Sequence, residues 1–183
     1  MDIKIIEKKT KVKIGGFSVE TTLENREKDL EVFYNDFYKD KMDLLNSFSK
    51  NKKEYYKLIW QKGLNESNKY LIGQDITNEL KYYIRVQKGY KNMIFNKLIY
   101  KEYKGRHCGE LSNFEIIDVP IGTYAYSYFS IDFDSNKAWM DFYQTGIPKI
   151  GYRPKEENGF SYEYYSNGLH DKYELWSLVE KIV

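Results

Sequence analysis

The residues best placed to do chemistry lie near the end of the chain, in two short runs: FSYEYY at 160–165 and YELWSLV at 173–179. Both are rich in aromatic residues and they flank Asn167-Gly168, a pattern that predicts two strands joined by a turn. Side chains alternate along a strand, so Ser161, Glu163 and Tyr165 share one face while Phe160, Tyr162 and Tyr164 share the other; Glu174 likewise points with Trp176. A hairpin whose loop is 166–171 sets Glu163 directly opposite Glu174, with Tyr165 and Trp176 on the same surface. Two facing carboxylates repel by up to about 1 kcal/mol on a sheet unless solvent, a proton or a bound cation relieves them. An acidic slot with aromatic walls therefore prefers cations, each good ring contact adding about 0.5–2 kcal/mol. A glutamate buried there would also have a raised pKa, so Glu163 or Glu174 could act as general base on a water, with Tyr165 as acid or orienter. A two-residue turn at Asn167-Gly168 instead pairs Glu163 with Lys172 on a solvent face, and spacing alone leaves both registers open.

Other aromatic residues join the candidate set. Trp139, Phe142 and Tyr143 recur at helical spacing, which fits a core stripe as well as a cleft wall, so only one or two of them are expected to meet a ligand. Trp60 and Tyr126 carry the same two readings. His107-Cys108 looks reactive, but neighbours on an extended chain point apart and His170 is the only other histidine, so no metal is expected. Gly15-Gly16 and Gly105/Gly109 do not have phosphate-cradling spacing, and no cofactor is expected.

The elements that must position these residues fall into two similar halves. Residues 3–20 read as a bent strand or hairpin, with Ile3, Ile5, Val12, Ile14 and Val19 interrupted by Gly15 and Gly16. Thr22 can cap a helix over 23–47, where Leu30, Phe33, Phe37, Met42 and Leu45 recur near three- or four-residue spacing. YYKLIW at 55–60 and YLIGQDI at 70–76 should pair as a hairpin, and 79–113 reads as a linker carrying extra strands. FEIIDVPIGTYAYSYF at 114–129 is a strand broken at Pro120 and Gly122; a helix capped by Asp134 or Ser135 follows and ends at Pro148. Asp36-Phe37-Tyr38 recurs as Asp141-Phe142-Tyr143, and Gly63 as Gly168, both at an offset of 105 (141 − 36, 168 − 63). Ile5-Ile6-Glu7 echoes Ile116-Ile117-Asp118 at a slightly larger offset. With the repeated order strand, helix, strand, strand, these matches predict an α+β fold. It is one domain over 1–183, made of duplicated modules at about 1–78 and 114–183 related by a pseudo-twofold axis, with a central cleft between them.

Composition narrows the partners. Lysine and arginine number 29 against 27 acidic residues, a net charge of +2, without the clustered basic excess that phosphate binding needs. One cysteine permits no internal disulfide, and MDIKIIEKKTKVK holds no apolar run to act as signal or membrane span, so a cytoplasmic location is expected. Aromatic residues reach 17%, including 19 tyrosines; alanine occurs only at Ala125 and Ala138 while Lys, Asn and Ile abound, so an AT-rich genome accounts for part of the excess.

The second half resembles the GyrI-like small-molecule-binding family, the effector-binding domains of AraC-type and MerR-type regulators. The resemblance is carried by Pro120-Ile121-Gly122-Thr123-Tyr124, by Trp139, Phe142 and Tyr143 on a helix, by Tyr162-Glu163-Tyr164-Tyr165 and by Glu174-Leu175-Trp176. Two departures stand out: a longer segment around 80–112, and no proline after Trp176. The resemblance implies an inter-module cleft that takes a hydrophobic, often cationic molecule, with Glu163, Glu174, Tyr165, Trp176, Tyr126, Trp139, Tyr143 and Trp60 as the ligand-binding set. Some family members are regulators, some stand-alone proteins linked to DNA gyrase, and some hydrolases of cyclopropane-bearing natural products. Because the strand pattern starts within the first residues, no DNA-reading domain and no direct DNA contact are expected. A stand-alone binding protein is the first expectation; a hydrolase using Glu163, Glu174 and Tyr165, or a factor that binds a protein partner, are the alternatives.

Overall fold

The computed structural model describes residues 1–22, 24–48, 51–62, 67–77, 114–156 and 159–182. Strands β1 (Lys4–Lys8), β2 (Val12–Thr21), β3 (Tyr55–Lys62), β4 (Ser67–Asp75), β5 (Phe114–Val119), β6 (Gly122–Phe129), β8 (Ser161–Tyr165) and β9 (Tyr173–Lys181) form one antiparallel sheet in the order β1-β6-β9-β8-β3-β4-β2-β5, and β7 (Tyr152–Pro154) pairs with the end of β9. The order maps onto its own reverse when β1 exchanges with β5, β2 with β6, β3 with β8 and β4 with β9. The central pair is thus β3–β8, where Lys57 lies opposite Glu163 and Tyr55 opposite Tyr165.

One face of the sheet carries the helices, α1 (Arg26–Asp36), α2 (Met42–Phe48), α3 (Ser135–Asp141) and a last turn α4 (Ile147–Lys149). A π-helical turn joins α1 to α2 at Phe37–Lys41, and another joins α3 to α4 at Phe142–Gly146. The residue spacing explains both turns. Inward-facing Phe37 and Met42 are five residues apart, as are Phe142 and Ile147, a step that an α-helix cannot keep on one face. The i→i−5 bonds Met42 N–H to Phe37 O and Ile147 N–H to Phe142 O widen the turn by the needed residue. Phe37, Phe142 and Ile147 are fully buried in the cluster between helices and sheet, each contributing about 1.5–3 kcal/mol. The two π turns repeat at the offset 105 (142 − 37) of the sequence matches. An ancestral duplication is the proposal these regularities motivate; Gly63 lies outside the described residues, as does the expected linker 79–113.

Several local expectations need correction. β1 and β2 do not pair with each other: β1 pairs with β6 and β2 with β4 and β5, so 3–20 is no hairpin. The expected single helix 23–47 is instead α1, a π turn and α2, with Asn25 rather than Thr22 at the N-cap. The second helix runs on through its π turn and ends at Lys149, one residue past Pro148. Asp134 is the cap expected there, its side chain accepting from Lys137 N at 2.7 Å. Gly16 faces Gly73 across β2–β4, and a Cβ on it would collide with the Ile72 carbonyl oxygen and Gly73 Cα; close backbone approach is the reason for this glycine.

Candidate functional site

Above β3, β4 and β8 the helices leave a cleft of about 930 Å³, open to solvent and walled by residues of α1, α3 and the 131–134 turn. Glu163 lies in its floor, 5% exposed. A buried carboxylate must be hydrogen-bonded, and three donors converge on this one. Ser135 Oγ and Trp139 Nε1 donate to Oε1 at 2.7 and 3.1 Å, and Tyr165 OH donates to Oε2 at 2.6 Å. Ser135 and Trp139 are four residues apart, so one face of α3 supplies both; Tyr165 comes from the same face of β8 as Glu163. Burial first and Glu163's charge second push the Tyr165 hydroxyl far above the usual tyrosine range, so it stays protonated and keeps donating.

Lys57 lines the same cleft, its Nζ 4.8 Å from the Tyr165 ring centroid and 5.3 Å from that of Tyr34. Burial pulls its pKa below the ordinary lysine value, against the opposing pull of Glu163. Tyr34, Phe33, Trp139 and Tyr173 add aromatic surface to the walls. Tyr173 OH donates to Phe133 O at 3.3 Å and has its pKa raised to about 12, chiefly by burial. Sequence reasoning missed Lys57 and Tyr34. Cross-strand pairing with Glu163 was the signal for Lys57, but it needed the β3–β8 contact between halves.

The other half of the expected slot is on the opposite face. β8 and β9 pair with Tyr165 against Tyr173, so the loop is 166–172 and Glu163 opposes Leu175; neither 174 nor 172 is its partner. One extra loop residue inverts the facing of β9 relative to β8, because strand side chains alternate. Gly168 (φ 93°) occupies the left-handed region in that loop, and its N–H bonds Lys53 O at 2.7 Å, which anchors the longer loop on the first half.

Glu174, Trp176 and Tyr126 therefore sit on the opposite face of the sheet, which none of the described helices covers. Trp176 is stacked between Tyr126 (4.3 Å) and Tyr162 (5.7 Å), both rings 6° from parallel, and its Nε1 donates to Glu174 Oε2 at 2.7 Å. The Lys8 ammonium lies 4.4 Å from the Trp176 centroid and donates to Tyr162 OH. Burial raises the Glu174 pKa, partly offset by Trp176 and Lys8. Of the remaining expected residues, Trp139 lines the cleft. Tyr143 stacks on Trp139 at 5.2 Å and donates to Ser161 Oγ at 2.7 Å, supporting Trp139 from behind. Trp60 lies on β3, its side chain outside the described residues, as are His107 and Cys108. His170 stacks on Tyr38 at 5.5 Å, and among the described residues no cluster of three metal-ligating side chains occurs. No helix among them is long and apolar enough to cross a membrane.

No protein-family model matches the chain. A DNA gyrase inhibitor of Serratia proteamaculans (strain 568) is 44% identical over 55 residues, 30% of this chain and 34% of that protein, so the match spans about a third of the relative's length. The solved structure of SAV2435 bound to tetraphenylphosphonium superposes with a TM-score of 0.63 at 10% identity, covering 98% of this chain and 94% of that one. The EcmrR C-terminal domain gives 0.51 at 11% identity, covering 98% and 96%. Agreement of shape over almost the whole length at such low identity speaks for the fold: the chain has the GyrI-like fold that its sequence resembles.

Proposed function

We propose that the helix-side cleft binds a lipophilic, aromatic organic cation whose charge faces Glu163. The observation that carries this reading is a buried carboxylate held by three donors in the floor of an open cleft with aromatic walls. Such a carboxylate attracts positive charge strongly because little water competes with it, and the rings add dispersion and cation–π attraction to the apolar part of the ligand. The donors also fix its position beforehand, so a ligand need not pay to order it. SAV2435, the solved relative of the same fold, binds tetraphenylphosphonium, a cation of this class.

The decisive comparison uses two ions of one shape and opposite charge. Tetraphenylphosphonium should bind at least tenfold more tightly than tetraphenylborate in a fluorescence or calorimetric titration, a difference of about 1.4 kcal/mol. Equal binding, or a preference for the borate, sinks the reading. A hydrolytic role has one observation in its favour, the Tyr165–Glu163 hydrogen bond, which pairs a protonated hydroxyl with a carboxylate. The three donors nevertheless give Glu163 the geometry of an anchor rather than of a base aimed at a water. A protein-binding role rests on the name of the Serratia relative, through a third of its length.

A further inference from the structure

The cation reading leaves Lys57 unused. Its amine stands in the wall of the cleft, opposite Glu163 across the central strand pair, with its Nζ over the rings of Tyr165 and Tyr34. A lysine in this setting is unusual: the four-carbon stem usually carries the ammonium out to water. Here burial disfavours the charged form, and the nearby carboxylate only partly compensates. A lysine amine whose charged form is disfavoured by burial is neutral more often, and so a better nucleophile, than an exposed one at the same pH. Beside it stand the Glu163 carboxylate and the Tyr165 hydroxyl, bonded to each other at 2.6 Å, which hold the walls around the amine in place.

We propose that Lys57 is a carbonyl-capturing site, whose ε-amine forms an imine with a lipophilic aldehyde held in the cleft. The neutral Nζ attacks the carbonyl carbon, forming the C–N bond while the C=O π pair moves to oxygen. That oxygen takes up a proton and the amine loses one, exchanged with water, to which the cleft is open, to give a carbinolamine. The C–O bond then breaks, oxygen leaves as water with a second proton, nitrogen's lone pair closes the C=N bond, and the iminium so formed gives up its remaining N–H proton, returning the one that left with the water. One amine and one aldehyde give one imine and one water, so no oxidant, reductant or further reactant is needed. The aromatic walls hold the aldehyde's apolar part and keep the carbonyl near Nζ, the positioning that makes a weak nucleophile effective. This inference rests on the cleft admitting small molecules, as the proposed function does, but not on a preference for cations.

Reductive trapping tests it. The full chain is incubated with limiting 2-naphthaldehyde and sodium cyanoborohydride, and naphthylmethyl adducts are mapped by peptide mass spectrometry. The expected result is modification of Lys57 at least tenfold above the median of the other lysines. That enrichment should vanish in denaturant, and Lys57→Arg should remove this adduct while leaving the others unchanged. Even labelling across the lysines, or enrichment at Lys57 that persists in denaturant, overturns the proposal. Lys57→Arg keeps the stem and charge, and a thermal unfolding curve establishes that it folds; should it not, the wild-type comparison with and without denaturant decides alone. Tetraphenylphosphonium titration of the same sample separates the two readings. Tight cation binding without Lys57 enrichment removes the imine site alone, whereas enrichment without cation binding removes the cation reading alone.

Discussion

The two faces of the sheet carry the same ingredients in different arrangements. Each joins a glutamate, a lysine and a set of tyrosine and tryptophan rings: Glu163 with Lys57, Tyr34 and Tyr165 under the helices, and Glu174 with Lys8, Tyr162 and Trp176 on the opposite side. On the helix side the groups border an open cleft and three donors converge on the carboxylate. On the other side the rings lie against one another, Trp176 between Tyr126 and Tyr162, with the Lys8 ammonium over them as Lys57 stands over Tyr34 and Tyr165 in the cleft. Residue types alone therefore do not make a site; unfilled space beside them does. A cage already filled by the chain contributes to stability, and an open one can bind.

The comparison breaks if the two faces respond alike to substitution. The largest expected effect is Trp176→Ala, which leaves a hole in a stack where Trp176 is only 9% exposed and should cost about 3–5 kcal/mol in a denaturant titration. At concentrations where the variant stays folded, its affinity for tetraphenylphosphonium should be within about twofold of the wild type. Next comes the pair of glutamates. Glu163→Gln should weaken the cation about tenfold or more, roughly 1.4 kcal/mol, and Glu174→Gln should leave it unchanged. If Glu174→Gln weakens binding as much as Glu163→Gln, the opposite face belongs to the site and the division drawn between the faces is wrong.

How far the sequence was legible follows the range of the interactions. Alternation along β8 put Glu163 and Tyr165 on one face, and helical spacing found Phe37, Phe142 and Trp139, because these patterns need only neighbours a few residues away. The β8–β9 register was not legible. It depends on one loop residue, fixed by a bond from Gly168 to Lys53 in the other half of the chain. The π turns left a trace, the five-residue steps from Phe37 to Met42 and Phe142 to Ile147, but a search for three- and four-residue spacing passes over it. Lys57 was invisible for a similar reason: nothing local distinguishes it from the other lysines until β3 lies against β8.

The smallest effect concerns Lys8, the lysine over the rings of the face opposite the cleft. Lys8 has its pKa lowered to about 8 from the ordinary 10.5, first by burial, with Glu174 and Asp75 acting the other way. Between those two values the unfolded chain holds more protons at this position than the folded one, so folding stability should rise with pH across the window, while below about 8 the penalty is constant. The tyrosines of the same face act oppositely above pH 10. Burial raises the pKa of Tyr56, Tyr124 and Tyr162, so the unfolded chain ionises first and stability falls. Lys57 adds a rise of the same sign as Lys8. The clean quantity is therefore the difference between wild type and Lys8→Met, measured by urea unfolding at several pH values between 8 and 10. Methionine fills the space among the rings without a charge. The wild type should gain on the variant by roughly 1 kcal/mol across that range, the amine being only half-buried and screened by solvent. A difference that stays flat with pH would mean that the Lys8 ammonium is as well solvated folded as unfolded, and that the face opposite the cleft is not the packed cage that distinguishes the two.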